Sequence, residues 1–121
     1  NTGPFILFNC VRTKSLLRKY GSKDYISATF SSPTEKEKEL ISKLSEYEKT
    51  IQLAADNYSP AIIANYCYDL AKEYSQFYAS HNILNEEDVQ SKLFRLNISS
   101  QVGRVLGKGL QLLGIEVPDR M

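Results

Sequence analysis

Several residue types that carry catalytic or metal chemistry are scarce in this chain. Its 121 residues include one histidine, two cysteines and one methionine, and no tryptophan. Cys10 and Cys67 are widely separated and lack the short spacing that zinc sites use. We therefore predict two reduced thiols, as in a cytoplasmic protein, and no metal site.

Long apolar runs are also missing. No stretch of roughly 18 or more apolar residues occurs, and no segment has the pattern of a secretory signal peptide. Hydrophobic residues make up 42% of the chain and charged residues 24%, which is typical of a soluble globular domain. We expect one domain over residues 1–121, no membrane contact and a cytoplasmic location.

A recognisable catalytic arrangement is absent as well. His81 falls at the end of a helical pattern without a nucleophile or carboxylate at a known spacing, so an exposed or capping role is expected. The glycines of "GRVLGKG" lie inside a leucine-patterned helix instead of following a strand, and they do not predict a phosphate-binding loop. We expect neither a cofactor nor substrate turnover from this chain alone.

What the chain does have is helical periodicity, and no strand pattern competes with it. Proline near the start and glycine after the end mark several helices. We predict four helical stretches: residues 3–20, ended by Gly21; residues 32–55, opened by the capping-box pattern Ser32-Pro33-Thr34-Glu35 with Pro33 at the first helical position; residues 60–80, capped by Ser59; and residues from about 85 to 113, ended by Gly114. The predicted fold is an all-α bundle of four to five main helices with antiparallel neighbours.

The periodicity also predicts which faces are buried. In the third stretch the core face is predicted at Ile63, Tyr66, Leu70, Tyr74 and Phe77, with Tyr78 at its edge; in the fourth it is predicted at Leu93, Leu96, Leu106, Leu110 and Leu113. Gly103, Gly107 and Gly109 each cost about 0.5–1 kcal/mol inside a helix, so we expect another helix to approach closely there. The opening "EKEKE" of the second stretch is predicted to be solvated.

Charge is distributed unevenly along the chain. Residues 1–33 carry a net charge of +4, residues 34–88 a net charge of −6, and residues 89–121 a net charge of +3. If the two basic ends meet in space, they form a positive face of the kind that a polyanion binds. Ordinary surface variation is the alternative.

The first helix has two faces that point to different uses. One stripe (Ile6, Cys10, Thr13 and Leu17) suffices to bury the helix. A second stripe, about 100° away, holds Phe5, Phe8, Asn9 and Arg12. Aromatic rings, an amide and a guanidinium are groups on which unstacked nucleic-acid bases stack and hydrogen-bond. A helix buried on both sides would instead place the phenylalanines in the core.

Three segments in order resemble the anticodon-binding domain of the arginyl-tRNA synthetase family, of the DALR type. They are "TGPF" at residues 2–5 with "LLRK" at residues 16–19, "SPAIIANYCYDLAKEYSQFY" at residues 59–78, and the closing "GLQLLGIEVPDRM". The resemblance covers essentially the whole chain, and its closing segment is the most specific. Phe5 and Phe8 stand where the family has tyrosines, so ring stacking remains but phenol hydrogen bonds are lost.

The resemblance implies an all-helical domain that holds the anticodon loop of arginine tRNA. The positions it assigns to that loop are Phe5, Phe8, Arg12, His81 with Asn82, and Met121. It further implies a parent arginine–tRNA ligase whose upstream catalytic domain uses ATP and Mg, with no DNA partner. The alternatives are the related bundle of another class I synthetase and a helical protein–protein adaptor that docks through Phe5 and Phe8.

Overall fold

Five α-helices form the part of the protein that the structure describes. The computed structural model describes residues 2–28 and 32–121. The helices are α1 (Thr2–Tyr20), α2 (Glu35–Ser45), α3 (Tyr47–Asp56), α4 (Pro60–Ser80) and α5 (Val89–Leu112). No strand occurs within the described ranges, so the predicted all-α bundle is confirmed. The loop expected around Thr29 and Phe30 lies outside the described residues.

α5 packs between α1 and α4 and runs antiparallel to both. The Cys10 thiol of α1 lies 3.7 Å from the carbonyl oxygen of Gly103, and the Tyr74 hydroxyl of α4 lies 2.9 Å from the Ser99 hydroxyl. α1 and α4 run in the same direction, because Phe5 faces Tyr68 near their amino ends and Arg12 meets Tyr78 further along. α2 and α3 both pack on α4, and α2 also contacts α5.

The core follows the predicted stripes of α4 and α5. Tyr66, Leu70, Tyr74 and Phe77 are buried on α4, and Leu96, Leu106 and Leu110 are buried on α5; Ile63, Leu93 and Leu113 are partly buried. The two buried tyrosine hydroxyls of α4 have partners: Tyr66 donates to the Lys43 carbonyl at 2.6 Å, and Tyr74 bonds Ser99. Cys10 and Cys67 are free and buried, and burial raises the pKa of the Cys67 thiol to about 11.

Three predicted helix boundaries are wrong. The stretch over residues 32–55 is two helices that break at Glu46. The capping box joins Thr34 to Glu37, so Pro33 precedes the cap and is not the first helical residue. α5 begins at Val89 behind the N-cap Asp88, later than the predicted start near Asn85. Polar residues cluster at each of these points, so the sequence offers several competing caps.

The expected solvation of the opening turn of α2 is wrong for Glu37. This side chain is fully buried, and its carboxylate pairs with the Arg95 guanidinium of α5 at 3.0 Å. A buried carboxylate is tolerated only where such a partner compensates its desolvation. The tertiary partner, 58 positions away along the chain, overrides the polar character of the local sequence.

The predicted close approach of a helix to the α5 glycines is confirmed at two of the three. A Cβ atom at Gly103 would collide with the Thr13 side chain of α1, and one at Gly109 with the Cys67 thiol of α4. At Gly107 a Cβ atom would lie 3.9 Å from the Cys10 sulfur, an ordinary contact. α5 therefore presents a small residue to each of its two neighbours.

Replacing Gly103 with alanine should destabilise the fold, whereas the same change at Gly107 should stabilise it. Thr13 is fully buried and its hydroxyl is held by the Cys10 carbonyl at 2.7 Å, so it cannot yield, and overpacking costs about 1–3 kcal/mol. Gly107→Ala meets no obstacle and gains about 0.5–1 kcal/mol of helix propensity. Urea denaturation of both variants measures the difference. Equal stabilities would contradict the close packing at Gly103.

The cap of α5 predicts a pH dependence. The Ser91 backbone N–H donates to the Asp88 carboxylate at 2.9 Å, and this bond lowers the pKa of Asp88 below its ordinary value of 3.8. The stabilisation is therefore present above the unfolded-state pKa and is lost as the pH falls through the folded-state pKa. Asparagine caps as well but does not titrate. As the pH falls from about 5 to about 3, the free energy of unfolding of Asp88→Asn should decrease less than that of the parent chain. Measuring the free energy of unfolding of both proteins across this range tests the prediction, and equal decreases would refute it.

Candidate nucleic-acid interface

The segment after α5 folds back along α1 and closes one side of a cleft. This first cleft has a volume of about 380 Å³. Its walls come from the carboxyl-terminal half of α1, from Tyr78 of α4, from Leu84, and from Arg120 and Met121. A salt bridge of 3.8 Å between Lys14 and Asp119 joins the same two segments.

Arg12 lies between two aromatic rings in this cleft. Its guanidinium carbon is 4.7 Å from the centroid of the Phe8 ring and 4.4 Å from the centroid of the Tyr78 ring. Its Nη1 also donates to the Asn9 side-chain oxygen at 3.3 Å. These contacts fix the guanidinium plane, and cation–π attraction to each ring contributes about 0.5–1 kcal/mol at a partly exposed site.

Outward surface remains on both rings. Phe8 is 46% exposed and Tyr78 is 38% exposed. Large apolar side chains with this much exposed surface at a cleft are features of binding sites. The Phe8–Arg12–Tyr78 stack therefore presents ring surface to a ligand while holding a cation between the rings.

The cleft is strongly cationic. Four basic residues line it, Arg12, Arg18, Lys19 and Arg120, and no aspartate or glutamate side chain does. Basic residues from both ends of the chain therefore meet here, three from α1 and Arg120 from the other end. Cations along a concave surface concentrate the electrostatic potential and favour an anionic ligand.

The expected place of Asn9 on the open face of α1 is wrong. Asn9 is completely buried. Its amide nitrogen donates to the Phe5 carbonyl at 3.1 Å, and its oxygen accepts from Arg12. The Asn9 side chain is therefore occupied within the protein and acts as a support for Arg12 instead of a group that meets a ligand.

Phe5 lies apart from the cleft. It is partly buried against the core, and its ring faces Tyr68 at a centroid distance of 5.6 Å. Tyr68 belongs to α4, so Phe5 helps to join α1 to α4 near their amino ends. Of the four residues in the predicted stripe, Phe8 and Arg12 reach the cleft.

His81 and Asn82 line a second cleft that adjoins the first. This second cleft has a volume of about 560 Å³ and shares Leu16, Tyr78 and Leu84 with its neighbour. The His81 ring stacks on Phe77 at 4.8 Å, and its Nε2 lies 2.9 Å from the Thr34 hydroxyl. His81 thus connects the end of α4 to the cap of α2, as expected of a capping histidine, while Asn82 is exposed.

Several lining residues were not identified from the sequence. The hydrophobic pattern of α4 places Tyr78 at the edge of the core face. That pattern does not reveal that α4 packs against α1, which is what brings Tyr78 into the cleft. Arg18 and Lys19 could be found as basic residues in the last turn of α1. Arg120 lies beside Met121 in the closing segment, and only the fold places it opposite α1.

The described part of the chain also lacks two other kinds of site. None of its helices is both long and apolar enough to cross a bilayer. No group of three or more histidine, cysteine, aspartate or glutamate side chains within it could hold a metal ion.

Comparisons with known proteins agree over the whole chain. The arginine–tRNA ligase of Flavobacterium psychrophilum is 48% identical over 122 residues, which cover all of this chain and 20% of that protein. The corresponding ligase of Parabacteroides distasonis is 44% identical over 126 residues and is covered to 21%. The chain thus spans about a fifth of the length of these curated relatives.

Solved structures match the fold. Arginyl-tRNA synthetase of Thermus thermophilus superimposes with a TM-score of 0.88 at 29% identity, covering 98% of this chain and 21% of that one. A putative arginyl-tRNA synthetase of Campylobacter jejuni reaches the same TM-score at 20% identity, which shows the fold alone. The sequence model of the DALR anticodon binding domain matches residues 6–121. With matches that extend over nearly its full length, the chain belongs to the DALR anticodon binding domain family.

Proposed function

We propose that this chain is the part of an arginine–tRNA ligase that binds the anticodon loop of arginine tRNA. The observation that carries the proposal is the Phe8–Arg12–Tyr78 stack in a cleft lined by four cations and no acidic side chain. Family membership and the printed names of the relatives support the choice of ligand.

The stack offers RNA two kinds of contact. The outward ring surfaces of Phe8 and Tyr78 are available for stacking with unpaired bases, which contributes about 1–3 kcal/mol per base. The Arg12 guanidinium lies over both rings and one of its nitrogens donates to Asn9, so its remaining N–H groups are the part left for a base edge or a phosphate. Arg18, Lys19 and Arg120 add phosphate contacts that depend on charge but not on sequence.

The proposed mechanism is positional. The domain holds the loop of the tRNA while a separate upstream catalytic domain of the parent enzyme, using ATP and Mg, attaches arginine to the other end. We further propose a cytoplasmic location and RNA, not DNA, as the nucleic-acid partner.

A protein–protein adaptor is the competing function, and the site disfavors it. An apolar docking face would need Phe5 and Phe8 together, whereas Phe5 is turned toward Tyr68. Family membership favours the RNA-binding function as well.

Arg12→Ala should weaken binding of an anticodon stem-loop of arginine tRNA by about ten- to a hundredfold, since a charged hydrogen bond contributes about 1.5–3 kcal/mol. If Arg12 contacts a phosphate, the slope of log K against log salt should also decrease by about one. Isothermal titration calorimetry at several salt concentrations measures both quantities.

The matched control is Lys49→Ala on α3. This lysine is exposed, and α3 packs on α2 and α4, away from the cleft. Its loss removes one positive charge without touching the site. If both variants weaken binding equally, the affinity depends only on the total charge of the protein. If Arg12→Ala changes the affinity for neither the matched nor a mismatched anticodon stem-loop, the assignment of the site is wrong.

Phe8→Ala should lower the affinity for the same stem-loop by about five- to a hundredfold through loss of one stacking surface, while Phe8→Tyr should retain it. Phe8 is 46% exposed, so removing its ring should disturb the core little. Leu53→Ala on α3, at a residue 51% exposed, is the control for losing exposed apolar surface. Binding by Phe8→Ala that matches the parent chain would exclude stacking on this ring.

A further inference from the structure

The segment between α4 and α5 has little backbone support of its own. Residues 81–85 form a wall of the second cleft, next to Tyr78. The backbone bonds of this segment are a 2.9 Å bond from His81 N–H to the Phe77 carbonyl and a long 3.4 Å bond from Glu86 N–H to the Ile83 carbonyl. Side chains must therefore supply much of what keeps it in place, since loops with few backbone bonds open easily.

Arg95 of α5 supplies the main polar attachment. Its Nη1 donates to the Asn82 carbonyl at 2.9 Å and to the Glu86 carboxylate at 2.7 Å. Its Nε donates to the buried Glu37 carboxylate of α2 at 3.0 Å. The Arg95 side chain is 12% exposed and its partner Glu37 is fully buried, so this ion pair is shielded from water and from salt. The bonds to Asn82 and Glu86 lie closer to the surface.

Glu37 fixes the other side of this network. Its first oxygen accepts from the Thr34 backbone N–H at 2.7 Å, and its second accepts from Arg95. The Thr34 hydroxyl in turn meets His81. The turn is thereby attached to α2 through His81 and to α5 through Arg95, on two sides of the cleft wall.

We propose that Arg95 is a positioning residue for the RNA site, holding the His81–Asn85 turn by its bonds to the Asn82 carbonyl and the buried Glu37 carboxylate. The inference rests on the proposed function. Arg95 does not line either cleft, so its effect on RNA passes through the turn. A wall that is already ordered in the free protein spares the RNA the entropic cost of ordering it.

The test is Arg95→Lys. A single ammonium keeps one charge near Glu37 but cannot reproduce the fork that bonds three groups at once. We expect about five- to tenfold weaker binding of the anticodon stem-loop, because the turn must then be ordered on binding. Hydrogen exchange at the Asn85 and Glu86 amides of the free protein should speed up. The slope of log K against log salt should stay unchanged, because lysine keeps the positive charge.

The control is Arg104→Lys. Arg104 is an exposed arginine of the same helix whose guanidinium bonds only the Gln101 side chain, at 3.1 and 3.2 Å, among the described residues. Arg104→Lys should leave unchanged both the affinity for the stem-loop and the rate of hydrogen exchange at the Asn85 and Glu86 amides. A second variant serves if Arg95→Lys fails to fold. The double variant Glu37→Gln/Arg95→Met removes both charges of the buried pair and leaves neither ion unpaired. It should weaken stem-loop binding and speed hydrogen exchange in the turn in the same way.

The outcomes separate this inference from the proposed function. Weakening by Arg12→Ala together with full affinity in Arg95→Lys or the double variant would overturn the positioning role alone. A salt slope reduced by about one in the double variant, which removes the cation, would overturn it too, because that is the signature of a direct phosphate contact. Absence of binding by the unaltered chain would overturn the proposed function and the positioning role together.

Discussion

The close approach of α5 to its two neighbours governs the rest of this structure. Gly103 leaves room for Thr13 of α1, and Gly109 leaves room for Cys67 of α4. With α5 packed against both, α1 and α4 also contact each other directly and run in the same direction. Arg12 can then reach Tyr78 across the helix pair, and the segment after α5 returns along α1. The cleft is thus a consequence of where α5 can pack.

Charge is used in two different ways in the same bundle. Glu37 and Arg95 are taken out of water and compensate each other with additional hydrogen bonds, so they fix geometry. The cations of the first cleft have no acidic side chain among its lining residues, so their field extends into the solvent. The net charge of +1 conceals this separation between an internally neutralised network and an open cationic surface.

Local pattern predicted the helices and much of the core, because burial on one face repeats with the helical period. The stripe of Tyr66, Leu70, Tyr74 and Phe77 is an example. The same pattern failed for Asn9 and Glu37, whose polar side chains are buried by partners that periodicity cannot identify. It also missed the break at Glu46, since no glycine or proline marks it. The resemblance supplied Met121, but Tyr78 and Arg120 required the tertiary arrangement of α1, α4 and the closing segment.

The first cleft is assembled from parts far apart along the chain: α1, the end of α4, and residues 120–121. The closing segment is attached to α1 by an exposed ion pair, Lys14 with Asp119, which is weak by itself. Val117 of the same segment also packs against the core. Opening of the segment would remove Arg120 and Met121 from the cleft walls and leave the packing of α1, α4 and α5 in place. By thermodynamic linkage, a ligand seated in the cleft suppresses the same opening, so an occupied domain resists proteolysis at its carboxyl end better than an empty one.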